Sequence, residues 1–390
     1  MPKKKLELNK NNMEINNKKY HKIILKIGSS LIVDDNKIRY EWIENLAENI
    51  SKILSNNCKI IIVTSGAVAL GRIKLGLLNQ KLTLPQKQSC ASVGQIELMS
   101  IYKNIFNKHN YEVAQILLTA NDCNLRKNFL NCKNTCEELL KNNIIPIINE
   151  NDSVAVDEIK IGDNDRLSAR VAQMIKADLV ILLSDIDGLY NKNPKIYKDA
   201  KHIAIVNKIT KDIEKMAKGT SSKVGTGGMI TKIMASKMVM SSQSDCIITN
   251  GTDLNVLQKL VKGKQRFTIF TPQDKIPKTS KHKSESKKNW LAGLVNAKGS
   301  VVINELAKEK LLTKKVSLLP VGAIEVIGSF AKNEAIFILD EKRQHIGSGV
   351  ANFSSLEVKQ ILQKNSSEIK KILGTSAKKE LIHIDNLFIL

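Results

Sequence analysis

The segment HKIILKI, residues 21–27, decides the fold class of this chain. Its isoleucine and leucine residues do not alternate strictly with polar residues, and Gly28 ends the run. A strand with one face in water would alternate, whereas a strand buried on both faces is a nearly continuous apolar run. The segment therefore predicts a strand inside a sheet that is covered on both sides.

Further apolar runs follow this strand at intervals that fit an α/β domain. Strands are predicted at Lys59–Val63, Val113–Leu118, Ile144–Ile148, Leu179–Leu183 and Cys246–Thr249. Amphipathic stretches between them predict helices at Tyr40–Leu54, Ile96–Asn107 and Asn128–Lys141. Strands separated by helices are typical of an open, mainly parallel sheet sandwiched by helices, and this is the predicted fold class.

The composition changes at both ends of this region. Residues 1–20 are rich in lysine and asparagine, which predicts a basic, mobile tail. The segment TPQDKIPKTSKHKSESKKN, residues 271–289, has the prolines, serines and lysines of an interdomain linker. Short β-like runs follow it, at Ser300–Ile303, Ala335–Leu339 and Leu381–Ile384. The predicted organisation is a tail at 1–20, an α/β domain at 21–272, a linker at 273–288 and a small β-rich, barrel-like domain at 289–390.

The net charge of +23 raises the question of nucleic-acid binding. Residues 1–22 hold seven lysines against two glutamates, and residues 275–288 hold six lysines against one glutamate. Nearly half of the excess charge therefore lies in two short polar segments, which indicates a lysine- and asparagine-biased composition more than a basic groove. Nucleic-acid binding stays an alternative.

The sequence also bears on the compartment. It contains no run of about 18 or more apolar residues, so no transmembrane helix is predicted. Six cysteines occur at 58, 90, 123, 132, 136 and 246 without any C-x-x-C pair, so neither a zinc site nor a disulfide framework is expected. Reduced thiols in a cytoplasmic protein are the simplest interpretation.

Short polar segments follow the predicted strands, at the edge where α/β sheets bind ligands. Lysine follows one strand, small-residue turns follow others, and a glycine-rich loop leads into a helix that carries a second lysine. These segments are Lys26–Ser30, Thr64–Ala67, Asn149–Ser153, Gly162–Asp165, Ser184-Asp185 and Gly225–Lys232. Each alone could be an ordinary turn, but together they share one edge of the predicted sheet.

The chemistry of these segments fits phosphate and a zwitterionic substrate. Backbone N–H groups, a helix N-terminus and lysine side chains attract phosphate, and aspartates suit a Mg²⁺ ion that bridges phosphates. The sequence lacks G-x-x-x-x-G-K-[ST], because Thr231 precedes Lys232, and no G-x-G-x-x-G follows a strand. Neither a P-loop nor a dinucleotide-binding fingerprint is therefore predicted.

Four longer runs resemble one family. VTSGAVALGR (63–72), INENDSVAVDEIKIGDNDRLSARVA (148–172), LLSDIDGLY (182–190) and GTGGMITKIMAS (225–236) are similar to the glutamate 5-kinase branch of the amino acid kinase family. The segments NWLAG and VSLLPVGAIEVIGSFAKNE resemble the PUA domain that follows the kinase in bacterial members. The resemblance covers about residues 21–390 and implies an amino acid kinase-like sheet followed by a PUA-like domain.

The resemblance also implies an activity and a set of site residues. It implies an ATP- and Mg²⁺-dependent enzyme that phosphorylates the γ-carboxylate of L-glutamate, the first step of proline biosynthesis. Lys26, Lys232 and Asp165 take the catalytic positions, and Ser65, Asp152 and Asn164 take the glutamate-binding positions. The ATP-binding positions are Lys26, Ser184, Asp185, Thr226, Gly227, Gly228, Met229, Ile230, Thr231 and Lys232, while the metal ligands are left unknown.

Members of this family are usually dimers or tetramers, so a homo-oligomer is expected, as is handover of the product to glutamate-5-semialdehyde dehydrogenase. A related amino acid kinase with another acidic substrate is the rival within enzymes. RNA binding by the PUA-like domain is the alternative from another class of function, because the resemblance implies a kind of domain that binds RNA in other proteins. Two departures from the family pattern are instructive: Ser184 replaces the usual threonine, and Gln243 stands where glycine is common, at the end of a predicted helix.

Overall fold

The computed structural model describes residues 13–15, 18–78, 80–154, 164–217, 228–273, 290–291, 294, 297–314, 316–374 and 378–389. The chain divides into two compact units, Met1–Ile276 and Pro277–Leu390. The boundaries drawn from the sequence, with a linker at 273–288, remain predictions. No helix in the described part of the chain is both long and apolar enough to cross a membrane.

The first unit is built from alternating strands and helices. Its strands are β1 (Met13–Ile15), β2 (Lys18–Tyr20), β3 (Lys22–Ile27), β4 (Val33–Asp34), β5 (Lys37–Ile38), β6 (Lys59–Val63), β7 (Val113–Leu118), β8 (Ile145–Glu150), β9 (Leu179–Ser184), β10 (Leu189–Tyr190), β11 (His202–Ile203), β12 (Ile205–Val206), β13 (Asp245–Asn250) and β14 (Phe267–Phe270). Its helices are α1 (Ser29–Ile32), α2 (Tyr40–Leu54), α3 (Ala67–Lys74), α4 (Leu84–Asn107), α5 (Ala120–Asn124), α6 (Arg126–Lys141), α7 (Asn164–Ile175), α8 (Lys211–Ala217), α9 (Met229–Ser241) and α10 (Val256–Val261).

Eight of the described strands form one sheet in the order β12-β14-β13-β9-β3-β6-β8-β7. The strands from β13 to β7 run parallel, and β14 pairs antiparallel with β13. The segment that opened the sequence argument, β3, lies between β9 and β6. The predicted mainly parallel sheet with helices is therefore confirmed.

The apolar runs explain why these strands lie inside. Every residue of β8 and β9 is buried, as are Ile23, Leu25 and Ile27 of β3. Helix α2 covers the sheet with Trp42, whose indole nitrogen donates to the carbonyl of Gly251 at 2.8 Å. Burial of polar backbone is tolerated because each strand is paired on both sides.

Most predicted elements have the predicted type, and the ends of some differ. β6, β7 and α2 begin and end where predicted, and the strand predicted at Ile144–Ile148 is Ile145–Glu150. The helix predicted at Ile96–Asn107 is longer and begins at Leu84. Thr83 caps it by accepting a hydrogen bond from the backbone N–H of Gln86, and the prediction overlooked this capping box, which marks a helix start.

Helix α4 packs unusually close to helix α3 because glycines face the contact. A Cβ atom on Gly94 would lie 1.8 Å from the carbonyl oxygen of Ala67, and one on Gly71 would lie 1.9 Å from that of Cys90. Only glycine fits at such distances. The close approach brings Gln95, which follows Gly94, to the carboxyl end of the sheet.

The described residues within the tail predicted at 1–20 form regular structure, and the mobility of the tail remains a prediction. β1 and β2 pair antiparallel, and Ile15 and Tyr20 are buried. The Tyr20 hydroxyl donates to Oδ2 of the buried Asp245 at 2.9 Å. Apolar and aromatic residues between the lysines account for this structure, because they pack against the first unit's core. Residues 1–12, 16 and 17 lie outside the described residues.

The second unit is rich in β-structure, as predicted. Its strands are β15 (Gly299–Ile303), β16 (Ala323–Gly328), β17 (Ala335–Leu339), β18 (His345–Val350) and β19 (Leu387–Ile389), in the order β16-β15-β17-β18-β19. Its helices are α11 (Glu305–Thr313), α12 (Ser355–Ile361) and α13 (Ser366–Leu373). The strand predicted at Leu381–Ile384 is wrong: Ile382 forms one isolated bridge with Leu318, and the strand begins only at Leu387.

Candidate active site

The carboxyl ends of the central strands place the predicted site residues at one edge of the sheet. Lys26 lies near the end of β3, in register with Val63 of β6 and Leu182 of β9. Ser184 is the last residue of β9. Helix α7 begins at Asn164 at this same edge, because Asn164 contacts the residues that follow β6.

A buried carboxylate between two lysines forms the centre of this edge. Oδ1 of Asp165 lies 2.6 Å from Nζ of Lys26, and Oδ2 lies 3.0 Å from Nζ of Lys232. Asp165 is 0% exposed, Lys26 is 5% exposed and Lys232 is 7% exposed. Opposite charges removed from water attract each other strongly. This attraction offsets the cost of desolvation only when the geometry of the pair is good. One negative charge against two positive charges leaves a net positive centre suited to an anion.

The second lysine is carried by helix α9, whose first turn also contacts Asp165. The hydroxyl of Thr231 has one hydrogen and two acceptors within reach. Oδ2 of Asp165 lies 3.1 Å from Oγ1, and the carbonyl oxygen of Gly228 lies 2.8 Å from it. Gly228 precedes the helix in an extended conformation, Met229 is its first residue and is buried, and Ile230 is half-buried. The predicted positions Thr226 and Gly227 lie outside the described residues.

The end of β9 provides a carboxylate near this centre. Oγ of Ser184 donates to Oδ1 of Asp185 at 3.1 Å, and Nζ of Lys195 lies 3.6 Å from Oδ2 of Asp185. Burial by itself would raise the pKa of Asp185, but the hydrogen bond from Ser184 and the charges of Lys195 and Lys232 hold it below its usual range. Asp185 is therefore ionised at neutral pH.

A second group of predicted residues meets at the start of α7. The side-chain amide of Asn164 donates from Nδ2 to the carbonyl of Thr64 at 2.6 Å and to Oγ of Ser65 at 2.8 Å. Oδ1 of Asn164 is buried and has no hydrogen-bond partner among the described residues. A buried acceptor that the protein leaves open is costly, which suggests that a ligand satisfies it.

Asp152 lies in the turn that follows β8, half-buried, and borders a cavity of about 230 Å³. Gln95 of α4 and Gln115 of β7 line the same cavity. A carboxylate at this place fits an amino group. The structure therefore brings Lys26, Asp165, Thr231 and Lys232 into contact, and joins Ser65 to Asn164.

Sequence reasoning assigned no role to three buried polar residues on the elements that form the site. Asn149 and Gln95 are buried and hydrogen-bonded to each other at 2.9 Å. Arg170 is fully buried on α7 and donates to the carbonyl of Cys123 at 2.6 Å, which holds α7 against α5. Burial lowers the pKa of Arg170 to about 10. Asn149 stood within a motif already singled out, whereas nothing in a helical sequence pattern marks Gln95 or Arg170 as buried.

Comparison with known proteins agrees with this arrangement. Residues 21–250 match the amino acid kinase family, and residues 299–373 match the PUA domain. A glutamate 5-kinase from Pelagibacter ubique is 43% identical over 94% of this chain and 97% of its own length. One from Caldanaerobacter subterraneus is 40% identical over 95% of this chain and 98% of its own length. The chain therefore belongs to the glutamate 5-kinase family of amino acid kinases and carries a PUA domain.

Proposed function

We propose that this chain transfers the γ-phosphoryl group of ATP to the γ-carboxylate of L-glutamate and forms L-glutamyl 5-phosphate, the first step of proline biosynthesis from glutamate. The observation that carries the proposal is the buried carboxylate of Asp165 between Lys26 and Lys232. The names of the nearly full-length relatives support glutamate as the acceptor.

The reaction needs positive charge more than it needs a base. A glutamate side chain has a pKa of about 4.3, so the attacking carboxylate is already ionised at neutral pH. One of its oxygens forms a bond to the γ-phosphorus while the bond from that phosphorus to the bridging oxygen breaks, and ADP leaves with the electron pair. No proton is transferred, but two anions must meet, and fixed positive charge lowers that barrier.

Lys26 and Lys232 are the proposed sources of this charge. Both ammonium groups are held by one carboxylate, so their positions do not depend on the substrate, and Asp165 acts as their positioning residue. Helix α9 has 13 residues and points its N-terminus toward the same place, which adds the partial positive charge of its unpaired N–H groups. We assign Thr231 to orienting Asp165.

The nucleotide is proposed to bind at the carboxyl end of β9 and the N-terminus of α9. Ser184 and Asp185 supply polar groups at the end of β9, and the stretch Thr226–Lys232 is proposed to approach the phosphates with backbone N–H groups. The depressed pKa of Asp185 supports a role for it as an anion that accepts hydrogen bonds or contacts a cation. Thr226 and Gly227 enter this proposal on the family pattern alone.

The amino acid is proposed to bind at Ser65, Asp152 and Asn164. The γ-carboxylate must point toward the lysines, so the α-amino group lies at the far end of the substrate. The open Oδ1 of Asn164 is an acceptor that an ammonium group would satisfy. Asp152 offers a negative charge of the sign that an ammonium requires.

Mg²⁺ fits this site as a companion of ATP. Among the described residues, no three carboxylate, histidine or cysteine side chains come together as a metal cage. Mg²⁺ commonly binds through one or two carboxylates, water and the phosphates themselves, so a full protein cage is not required. Asp185 is the carboxylate that would hold it, and the ion would neutralise charge on the phosphates.

A direct test compares acceptors. Release of ADP would be followed with L-glutamate, N-acetylglutamate and L-aspartate in parallel, each with ATP and Mg²⁺. We expect glutamate to give the highest kcat/KM. A higher kcat/KM with N-acetylglutamate or aspartate would assign the chain to another acidic substrate.

The proposal also covers the oligomeric state, the fate of the product and the cellular location. A homo-oligomer, a dimer or tetramer, is expected from the family. The product is an acyl phosphate that water hydrolyses, which favours direct handover to glutamate-5-semialdehyde dehydrogenase. All six cysteines are buried thiols that form no disulfide bond, which supports a reducing, cytoplasmic location.

A further inference from the structure

Four side-chain amides form a continuous chain from the substrate end of the site to the protein surface. Nδ2 of Asn164 donates to Oδ1 of Asn149 at 2.9 Å, and Nδ2 of Asn149 donates to Oε1 of Gln95 at 2.9 Å. Nε2 of Gln95 then donates to Oε1 of Gln115 at 3.1 Å. Asn164, Asn149 and Gln95 are buried, whereas Gln115 is exposed. We call these four residues the amide relay.

Two backbone groups fix the direction of the relay. The carbonyl of Thr64 lies 2.6 Å from Nδ2 of Asn164, and a carbonyl can only accept, so the amino group of Asn164 must face it. The backbone N–H of Glu150 lies 2.9 Å from Oδ1 of Asn149 and can only donate, so the oxygen of Asn149 must face it. An amide turned over at either place would bring two like groups together.

The fixed direction decides what Asn164 presents to a ligand. Because its amino group faces Thr64 and Asn149, its oxygen faces the other way and lacks a hydrogen-bond partner among the described residues. A buried oxygen can bind an ammonium group, whereas a buried amino group would repel one. The relay therefore presents a buried acceptor, the kind of atom that an ammonium group needs, among the predicted glutamate-binding residues.

We propose that Asn149 and Gln95 are positioning residues that set the recognition of the substrate's α-ammonium group through Asn164. The inference rests on glutamate being the substrate, as proposed above. Nδ2 of Asn164 has two hydrogens and three acceptors. The carbonyl of Thr64 and Oγ of Ser65 lie after β6, and Oδ1 of Asn149 lies on β8. Held only by the two acceptors after β6, the amide can tilt about them, whereas the third acceptor on β8 fixes its plane. Gln95 in turn holds the amino group of Asn149.

The first test compares Asn149→Leu with Asn149→Asp. Leucine is similar in size and accepts no hydrogen bond, so Asn164 keeps only the two acceptors that follow β6, Thr64 and Ser65. Aspartate still accepts from Asn164 and Glu150, and the outer amides can turn over because Gln115 is exposed. We expect the leucine variant to raise the KM for glutamate by at least about tenfold, the loss of one hydrogen bond to a charged group. The KM for ATP should change by less than about threefold, and aspartate should recover most of the loss.

The second test moves one residue outward and covers the case in which Asn149→Leu fails to fold. Gln95→Met keeps the length of the side chain but removes the acceptor for Asn149, whereas Gln95→Glu keeps an acceptor. We expect the methionine variant to raise the KM for glutamate by a smaller factor than Asn149→Leu, about threefold to tenfold. The glutamate variant should lie closer to the wild type.

Glutarate separates recognition of the ammonium from general distortion, because it has both carboxylates and no amino group. Its inhibition constant against glutamate should change by less than about threefold in Asn149→Leu. Equal weakening of glutarate and glutamate, or an unchanged KM for glutamate in folded leucine and methionine variants, would overturn the relay. Absence of glutamate-dependent ADP release in the wild-type enzyme would instead overturn the proposed function.

Discussion

The ammonium nitrogen of Lys232 lies 3.0 Å from Oδ2 of Asp165, a residue 67 positions earlier in the chain. The carboxylate that receives it is fully buried and is also 2.6 Å from Lys26. Three charged residues from β3, α7 and α9 are thus held together where water is excluded. Their separation in sequence means that the sheet and two helices must be assembled before the charge centre exists.

Replacement of Lys232 by alanine should lower kcat far more than it raises the KM for glutamate. Removal of one preorganised donor of positive charge typically costs about 2.7–4 kcal/mol, or roughly 100–1000-fold in rate. Steady-state kinetics at saturating ATP measure this, and Lys26→Ala should behave alike. Lys237→Ala is the matched control, because Lys237 is an exposed lysine on the same helix, paired with Glu214. A Lys232→Ala enzyme with nearly normal kcat would contradict the assigned role.

Replacement of Asp165 by asparagine should destabilise the protein without ATP and should be partly rescued by ATP. Removal of one partner of a buried ion pair costs about 3–5 kcal/mol, because the remaining charges are left unpaired. The phosphates of ATP would supply the missing negative charge and stabilise the folded state by binding it. Thermal unfolding with and without ATP checks this. Asp199→Asn, in an exposed pair with Lys192, should change Tm little, and an equal ATP-induced rise in wild type and Asp165→Asn would contradict the prediction.

Replacement of Asp152 by asparagine should raise the KM for glutamate while the KM for ATP stays nearly unchanged. The substitution keeps the shape of the side chain but removes the charge proposed to face the α-ammonium. Kinetics with each substrate varied in turn provide the measurement. A loss of ATP affinity with glutamate affinity intact would instead place Asp152 at the metal or nucleotide.

Replacement of Gln243 by glycine should stabilise the first unit. Gln243 follows the C-cap of α9 with φ of 60°, and the hydrogen bonds from Gln243 to Met240 and from Ser244 to Val239 form the helix-ending motif that favours glycine. Relief of the left-handed conformation should contribute about 0.5–1 kcal/mol to the free energy of unfolding. Chemical denaturation measures it, with kcat unchanged. Ser242→Gly is the control, because Ser242 has φ of −95° and should gain nothing.

A chain that ends after Gln273 should keep substantial glutamate kinase activity. Every residue assigned to catalysis, ATP or glutamate lies between Lys26 and Lys232, and the division into compact units falls later, at 276. Activity at saturating ATP, Mg²⁺ and glutamate measures this, alongside circular dichroism. A truncated protein that is folded but inactive would show that the PUA-domain region completes the active site or holds an obligate oligomer together.

The sequence predicted the sheet because burial on both faces leaves a direct mark on amino-acid order. The apolar run at 21–27 and the later runs at 59–63 and 113–118 are strands for that reason. The start of α4 was missed because its first turns lack a strong apolar pattern, although Thr83 and Gln86 form a capping box. The hairpin β1–β2 was missed because Lys and Asn dominate its composition.

The candidate site also has a part that the sequence predicts and a part that only the structure shows. Positions within long motifs, such as Lys26, Asp165 and Lys232, could be named from the sequence through the family resemblance, and their roles remain predictions. The orientation of Asn164 could not be named, because it depends on a carbonyl of residue 64 and an amide of residue 149. Gln95 could not be named either, since a glutamine in an amphipathic helix is indistinguishable from a surface residue until α4 is packed.

The sequence by itself determined the class of fold, the family and the kinds of side chain available, because these follow from local hydrophobicity and from motifs that are continuous in the chain. Tertiary structure alone decided which charges meet and which atom each amide presents. Those properties depend on distances of 2.6–3.1 Å between residues that lie far apart in the chain. Only a packed sheet edge, with water excluded, makes such distances and directions fixed.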